Sequence, residues 1–327
     1  MRNYQGIRSY ARVRAIALRV ALTLALVVGC SAFGIAQSST ARITKGERTL
    51  STWPTVQDGS FFSESLGREM KYRVILPAEY GSTTRRYPVL YLLHGYLGSY
   101  INWETRTDVV LYARNFPGII VMPDAGNSWY VNSATLSKDR FEDYVIKDLV
   151  PHIEQKYRAA WRRSGRMIAG LSMGGYGALK FALKYPQVFG YAASISGAFN
   201  VPDELATQRP EFAENLRGVF GSEGNETRQA NDVYALARKA TPASAPYLYL
   251  DCGTSDYFLP ANRRLVAELQ TAGVRYEYHE VAGKHDWEYW NNQIRTVLGS
   301  ATAFLQQSAE AERITANPKA NRPARSR

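Results

Sequence analysis

Residues 166–179, RMIAGLSMGGYGAL, bring an apolar run to a stop at Gly170 and crowd small residues around a single serine. Gly170-Leu171-Ser172-Met173-Gly174 reads G-x-S-x-G, with a strand-like segment before it and a helix-like segment after it. A sharp strand-to-helix turn of this type lifts a serine hydroxyl clear of the sheet. Glycines suit the turn because side chains there would clash where backbone segments approach closely. The turn also sets Ser172 at a helix N-terminus, whose dipole favours negative charge developing nearby. A serine hydroxyl needs an adjacent base to become a nucleophile, and the base needs a third group to orient it. The chemistry such a trio performs is attack on an acyl carbonyl.

The chain has four histidines, so the search for the base is short. His285, in AGKHDWEYW, sits between the last strand pattern and the C-terminal helix pattern, and is the base. His279 lies inside the strand pattern YEYHEV and reads as structural; His152, beside Pro151, falls on the polar side of a helix and reads as solvated. His94 ends a buried strand. In open α/β sheets built around such a serine, the acid comes between serine and histidine in the chain. DCGTSDYFLP offers Asp251, before the strand end, and Asp256, in the loop beyond it. Catalytic side chains of such sheets gather past the carboxyl ends of the strands, which selects Asp256. Asp286 is too close in sequence to orient His285 and reads as a helix cap. The oxyanion formed on attack needs backbone donors, for which the amides of Met173 and of Tyr96, in LLHGYLGS, are placed. With no clustered Cys/His spacing, the sequence predicts no structural metal site.

The elements that must position these groups alternate along the chain. Strand patterns at 70–77, 87–95, 117–126, 165–171, 188–199, 245–253 and 274–283 are separated by helix patterns, notably 140–158, 172–186, 260–273 and 287–307. Pro151 should break or kink the first of these, and Gly273 should close the third. The alternation implies an α/β fold, a mostly parallel sheet with helices on both faces, over one domain at 52–307. Residues 200–230 form an insertion that reads either as a helical, lid-like cover or as a surface excursion.

The net charge of +11 resides mostly in the ends. Residues 1–36 hold five arginines and no acid, and 308–327 hold five basic residues against two glutamates, leaving +3 for 37–307. A near-neutral body lacks the electrostatic footprint of a nucleic-acid binder. The basic start followed by VALTLALVVG reads as a signal segment ending at Ala36, so the protein is expected to be exported, to the periplasm or beyond. VVGC at 27–30 is a competing, lipobox-like site, at which Cys30 would be lipidated and would supply the one membrane contact. Residues 37–51 read as a polar linker and 308–327 as a disordered tail. Cys30 and Cys252 are the only cysteines, too few for a disulfide framework.

VLYLLHGYLGSYINW, VMPDAGNSWYVNS, IAGLSMGGYGALKFALKYP and DCGTSD…GKHDWEYW together resemble the esterase D / tributyrin esterase family of α/β-hydrolases, over residues 60–305. That family includes feruloyl esterases, S-formylglutathione hydrolases and antigen 85 mycolyltransferases. The resemblance implies cofactor-free ester hydrolysis or acyl transfer, with Ser172 as nucleophile, Asp256 as acid, His285 as base, and Tyr96 and Met173 as oxyanion donors. Trp103, Trp129 and Tyr130 read either as pocket walls that stack on a phenolic acid or sugar, or as packing for the loops above the sheet. The leading expectation is a serine esterase for small-acyl or aromatic esters. The alternatives are an acyltransferase with an alcohol acceptor and a non-catalytic binding module.

Overall fold

The computed structural model describes residues 53–316. The signal segment 1–36 with Cys30, the linker 37–51, and residues 317–327 of the tail lie outside the described residues. The described residues include eight strands, β1 (Thr55–Ser63), β2 (Arg68–Leu76), β3 (Val89–Leu93), β4 (Ile119–Pro123), β5 (Arg166–Leu171), β6 (Tyr191–Ile195), β7 (Tyr247–Gly253) and β8 (Tyr276–Val281). They form one sheet in the order β1-β2-β4-β3-β5-β6-β7-β8. β1 and β2 pair as an antiparallel hairpin, and β2 runs antiparallel to β4. The six strands from β4 to β8 are parallel.

Every residue of β3, β4 and β6 is buried. Such strands read as unbroken apolar runs because helices cover both faces of the sheet. Their side chains still divide by parity. Tyr91, Leu93, Ile168 and Leu250 enter one core; Leu90, Leu92, Met167, Ala169 and Tyr249 enter the other. The first core lies against the helix Met173–Lys184, through Tyr176 and Leu179, and the second against the C-terminal helix, through Ile294, Val297 and Leu298.

Three elements depart from the sequence reading. β1 has no counterpart in it, because this edge strand is mostly exposed and its TVQDGSFFS lacks an apolar rhythm. Pro151 does not end its helix. Instead the helix widens into a π-helical stretch at Tyr144–Leu149, and Pro151 falls at the start of the α-helical segment Val150–Lys156. The C-terminal helix, Trp287–Ala316, runs nine residues past the expected end at 307. Glu312 anchors this extension by accepting a hydrogen bond from Ser164 Oγ at 2.8 Å and pairing with Arg162 at 3.4 Å. Gly273 does follow the helix Leu259–Thr271, at φ +69°.

The strand register brings the site together. Leu93 of β3 lies opposite Gly170 of β5, Gly170 opposite Ser194 of β6, Ile195 opposite Asp251 of β7, and Gly253 opposite Val281 of β8. The loops that follow β3, β5, β7 and β8 therefore leave the sheet along one edge. His94–Gly95, Ser172, Asp256 and His285 are carried by those four loops.

Candidate active site

Ser172 adopts φ 54°, ψ −117°, a conformation costing a non-glycine residue on the order of 1–3 kcal/mol. Its neighbours over-determine it. The Ser172 amide donates to Ile195 O at 2.9 Å, and its carbonyl accepts from Tyr176 N at 3.0 Å and Ala198 N at 3.1 Å. The small residues around it are obligatory. A Cβ on Gly170 would lie 2.4 Å from the Gly174 carbonyl carbon, and one on Gly174 would lie 2.5 Å from Leu93 O. β5 and the helix after it thus approach too closely for any side chain, and the helix begins at Met173, directly beyond the serine.

His285 Nε2 lies 3.0 Å from Ser172 Oγ, and His285 Nδ1 lies 2.9 Å from Asp256 Oδ2. With Nδ1–H donating to the carboxylate, Nε2 is left to accept the serine proton. The Asp256 side chain is fully buried, and its other oxygen accepts from Phe258 N at 2.8 Å, so both oxygens are engaged. The His285 ring is walled by Tyr257, Phe258 and Trp290, with ring centres 4.6, 5.0 and 4.9 Å away. Asp286 accepts from Tyr289 N at 3.0 Å and caps the final helix, as its position suggested.

Gly95 and Tyr96 stand beside the serine: a Cβ on Gly95 would be 3.5 Å from Ser172 Cβ. The turn is held by Gly98 N donating to Gly95 O at 3.0 Å and by Leu97, at φ 58°, whose amide donates to Asn127 Oδ1 at 2.8 Å. Among the described residues, the Tyr96 and Met173 amides donate to no group of the chain, leaving both N–H groups for an incoming oxygen. His94 is buried beneath this loop. Its Nε2 accepts from Ala125 N at 3.0 Å, so its proton is on Nδ1, which donates to Gly95 O at 2.8 Å.

Ser172 and His285 open into a cleft of about 340 Å³. One group of lining rings is Tyr96, Trp129 and Phe212, whose centres are 5.9 and 4.8 Å apart in the pairs Tyr96–Trp129 and Tyr96–Phe212. The other surrounds His285 and comprises Tyr257, Phe258, Trp287 and Trp290. A larger groove, about 710 Å³ between Tyr112 and the C-terminal helix, holds none of these residues.

A family model described as putative esterase matches residues 63–301. The chain belongs to that family. Over 250 residues it is 28% identical to an acetyl esterase of Caldicellulosiruptor saccharolyticus, a match covering 72% of this chain and 93% of that protein. An esterase of Mycobacterium tuberculosis is 32% identical over 257 residues, 69% of this chain and 54% of that one, so the chain spans about half its length. A solved ferulic acid esterase is 26% identical and superposes with a TM-score of 0.68, over 78% of this chain and 99% of the other. Diacylglycerol acyltransferase/mycolyltransferases are also matched, one from Mycobacterium bovis at 24% over 270 residues, 72% of this chain and 77% of it. The fold is that of the α/β-hydrolases, and the protein is a carboxylic ester hydrolase with acyltransferase relatives.

Of the three aromatic residues read as pocket walls, one reaches the cleft. Trp129, at φ 54°, lines the cleft, its indole donating to Asn215 Oδ1 at 2.8 Å. Trp103 and Tyr130 do not reach it. Trp103 is packed in the core with its indole on Leu93 O at 3.0 Å, and Tyr130 donates to His94 O at 2.9 Å beneath Gly177. Both serve the loop that carries Tyr96, so their role is in packing. Residues 200–230 form short helices that supply Leu205 and Phe212 to the cleft and bury Leu216, Val219 and Phe220. The rings missed from sequence, Phe212, Tyr257, Trp287 and Trp290, flank the catalytic loops; WEYW directly after His285 was the available signal. His152 is half-buried rather than solvated, stacked on Phe61 at 4.2 Å and 3.1 Å from Tyr72 Oη. His279 is half-exposed and bonded to Glu277 at 2.7 Å. Among the described residues, no group of three or more His, Cys, Asp or Glu could hold a metal ion.

Asp251, the acid passed over, is fully buried in β7. Tyr289 Oη donates to its Oδ1 at 2.9 Å, while Oδ2 has no hydrogen-bond partner among the described residues. Burial pushes its carboxyl up to about 8 from 3.8. The folded chain therefore holds Asp251 protonated over a range in which the unfolded chain ionises it, and stability falls as pH rises through that range. Asp251→Asn, neutral throughout, should be more stable than the parent by at least about 2 kcal/mol near pH 8. The gain should vanish near pH 4. Urea denaturation at several pH values checks this; a difference that does not change with pH contradicts it.

Proposed function

We propose that this esterase hydrolyses small-acyl or aromatic, feruloyl-like carboxylic esters through an acyl-enzyme on Ser172. His285 Nε2 takes the Ser172 proton as Oγ attacks the acyl carbonyl, and Asp256 stabilises the imidazolium. The carbonyl oxygen becomes an oxyanion facing the Tyr96 and Met173 amides. Collapse of the tetrahedral species breaks the bond to the alcohol oxygen, which leaves with the proton from His285. Water, deprotonated by the same imidazole, then releases the acid and restores Ser172. The observation that carries this reading is the unbroken chain Asp256–His285–Ser172, at 2.9 and 3.0 Å, opening into a cleft.

The size and lining of the cleft support a short or flat acyl group. A cavity of about 340 Å³ is at the small end of ligand sites, and its aromatic walls suit a ring. The similarity to an acetyl esterase and to a ferulic acid esterase points the same way. The test is kcat/KM for p-nitrophenyl acetate, butyrate and octanoate and for methyl ferulate, with product analysis in the presence of a sugar. Highest turnover on acetate or ferulate is expected; a preference for octanoate contradicts the acyl reading. The mycolyltransferase relatives support acyl transfer as the second reading, and acylated sugar as the main product would establish it. We also propose export, on the basis of the basic and apolar residues 1–36. A native protein beginning at Cys30 or Gln37 is expected, and one that retains Met1 contradicts it.

A further inference from the structure

We propose that Arg106 and Asn102 form a subsite for an oxyanion, carboxylate or phosphate, carried on the alcohol half of the ester. The inference rests on the esterase reading above. Both residues lie on the short helix Asn102–Arg106, four positions apart and so on one face, and both line the cleft that holds Ser172 and His285. Among the described residues that line the cleft, Arg106 is the one permanently charged side chain and none is a carboxylate. Its guanidinium lies 5.6 Å from the centre of the Trp287 ring and makes no ion pair among the described residues. The acids beside Arg106 in the chain are engaged elsewhere. Glu104 pairs with Arg73 at 2.7 Å, and Asp108 accepts from Asn291 at 3.1 Å.

Asn102 adds a second donor. Its Oδ1 accepts from Ser99 N at 2.6 Å, which leaves its amide NH2 as the other end, with no acceptor in the chain among the described residues. A guanidinium fork and an amide NH2 on one helix face match the geometry of a planar or tetrahedral oxyanion.

The side of the cleft decides which half of the ester is involved. His285 must hand its proton to the departing alcohol oxygen, so the alcohol lies against the histidine. Trp287 and Trp290 stand on that side, with Trp290 4.9 Å from His285 and Trp287 5.0 Å from Trp290. Arg106 sits on Trp287, so it faces the alcohol rather than the acyl group.

The experiment uses three acetate esters: 4-acetoxybenzoate, 4-acetoxyphenyl phosphate and the neutral 4-acetoxybenzamide. The quantity read is the kcat/KM of each anionic ester divided by that of the amide, in the parent, Arg106→Gln and Arg106→Lys. Taking the ratio within each protein cancels intrinsic reactivity and any loss of active enzyme. For at least one anion the parent's ratio should exceed that of Arg106→Gln by about tenfold, with Arg106→Lys between them and the gap narrowing as salt is added. A gap for the carboxylate alone identifies an acid-bearing alcohol, and a gap for the phosphate alone a phosphorylated one. Equal ratios in the parent and Arg106→Gln overturn the subsite while leaving the esterase reading intact. Failure to turn over any of the three esters overturns the subsite, and failure on p-nitrophenyl acetate and methyl ferulate as well overturns the esterase reading with it.

Discussion

Ser172→Ala is expected to lower kcat/KM on p-nitrophenyl acetate at least about ten-thousand-fold, and His285→Ala by a similar factor, with the fold retained. The effects should not add, because serine, histidine and aspartate act as one unit. Once Oγ is gone, the hydrogen bond it makes to His285 Nε2 at 3.0 Å has nothing left to activate. His285→Ala empties a space between the Tyr257, Phe258 and Trp290 rings, but His285 stands in a loop outside the strands and helices, so far-UV circular dichroism should be unchanged. Asp256→Asn should be nearly as damaging to activity. Its amide could not accept from Phe258 N and from His285 Nδ1–H with both ends, so the imidazole would lose its tautomer or its hold. Activity within tenfold of the parent in Ser172→Ala would remove the acyl-enzyme from the account.

The largest effect on stability should come from a buried charge cluster behind the site. Glu142 accepts from Lys180 and Lys184 at 2.8 Å each and from the Tyr185 hydroxyl, and Lys180 is fully buried. Burial alone would raise the Glu142 carboxyl; Lys180 beside it, with the hydrogen bonds from both lysines and Tyr185, holds it down at about 2. Glu142→Ala strands the Lys180 ammonium without a counter-charge and should cost about 3–5 kcal/mol in urea denaturation at neutral pH. Because the folded value lies below the ordinary 4.5, the contribution is present above that pH and is lost as pH falls toward 2. The gap between parent and variant should close over that interval. Replacing the pair together, as Glu142→Leu with Lys180→Met, should recover most of the loss, and a double variant as unstable as the single one would contradict the argument. Lys180 also donates to Tyr130 O, so the cluster ties the helix that begins beyond Ser172 to the loop that bears Trp129.

The triad was legible because its sequence signals are local. G-x-S-x-G lies at a strand end, four histidines leave few choices, and of the two aspartates in DCGTSDYFLP only Asp256 falls in the loop beyond the strand. The parallel core was legible for the same reason, since buried strands such as YPVLYLLHG are unbroken apolar runs. What escaped the reading depends on contacts between distant segments. Nothing in NSWYVNS separates Trp129, which lines the cleft, from Tyr130, which turns under Gly177; the difference follows from two consecutive residues at positive φ. Trp103 looked like a wall because aromatic residues near a catalytic loop serve either purpose until their burial is known. β1 was missed because an exposed edge strand has no core to pattern it, and the last turns of the C-terminal helix because their anchor, Ser164, is 148 residues away.

The most direct test of the central claim is to find the acyl group. The enzyme is quenched in acid during steady-state turnover of p-nitrophenyl acetate, digested, and mapped by mass spectrometry. One acetyl group on the peptide containing Ser172, absent from Ser172→Ala treated in the same way, is the predicted result. Acetylation at another residue, or undiminished turnover in the alanine variant, would contradict the account.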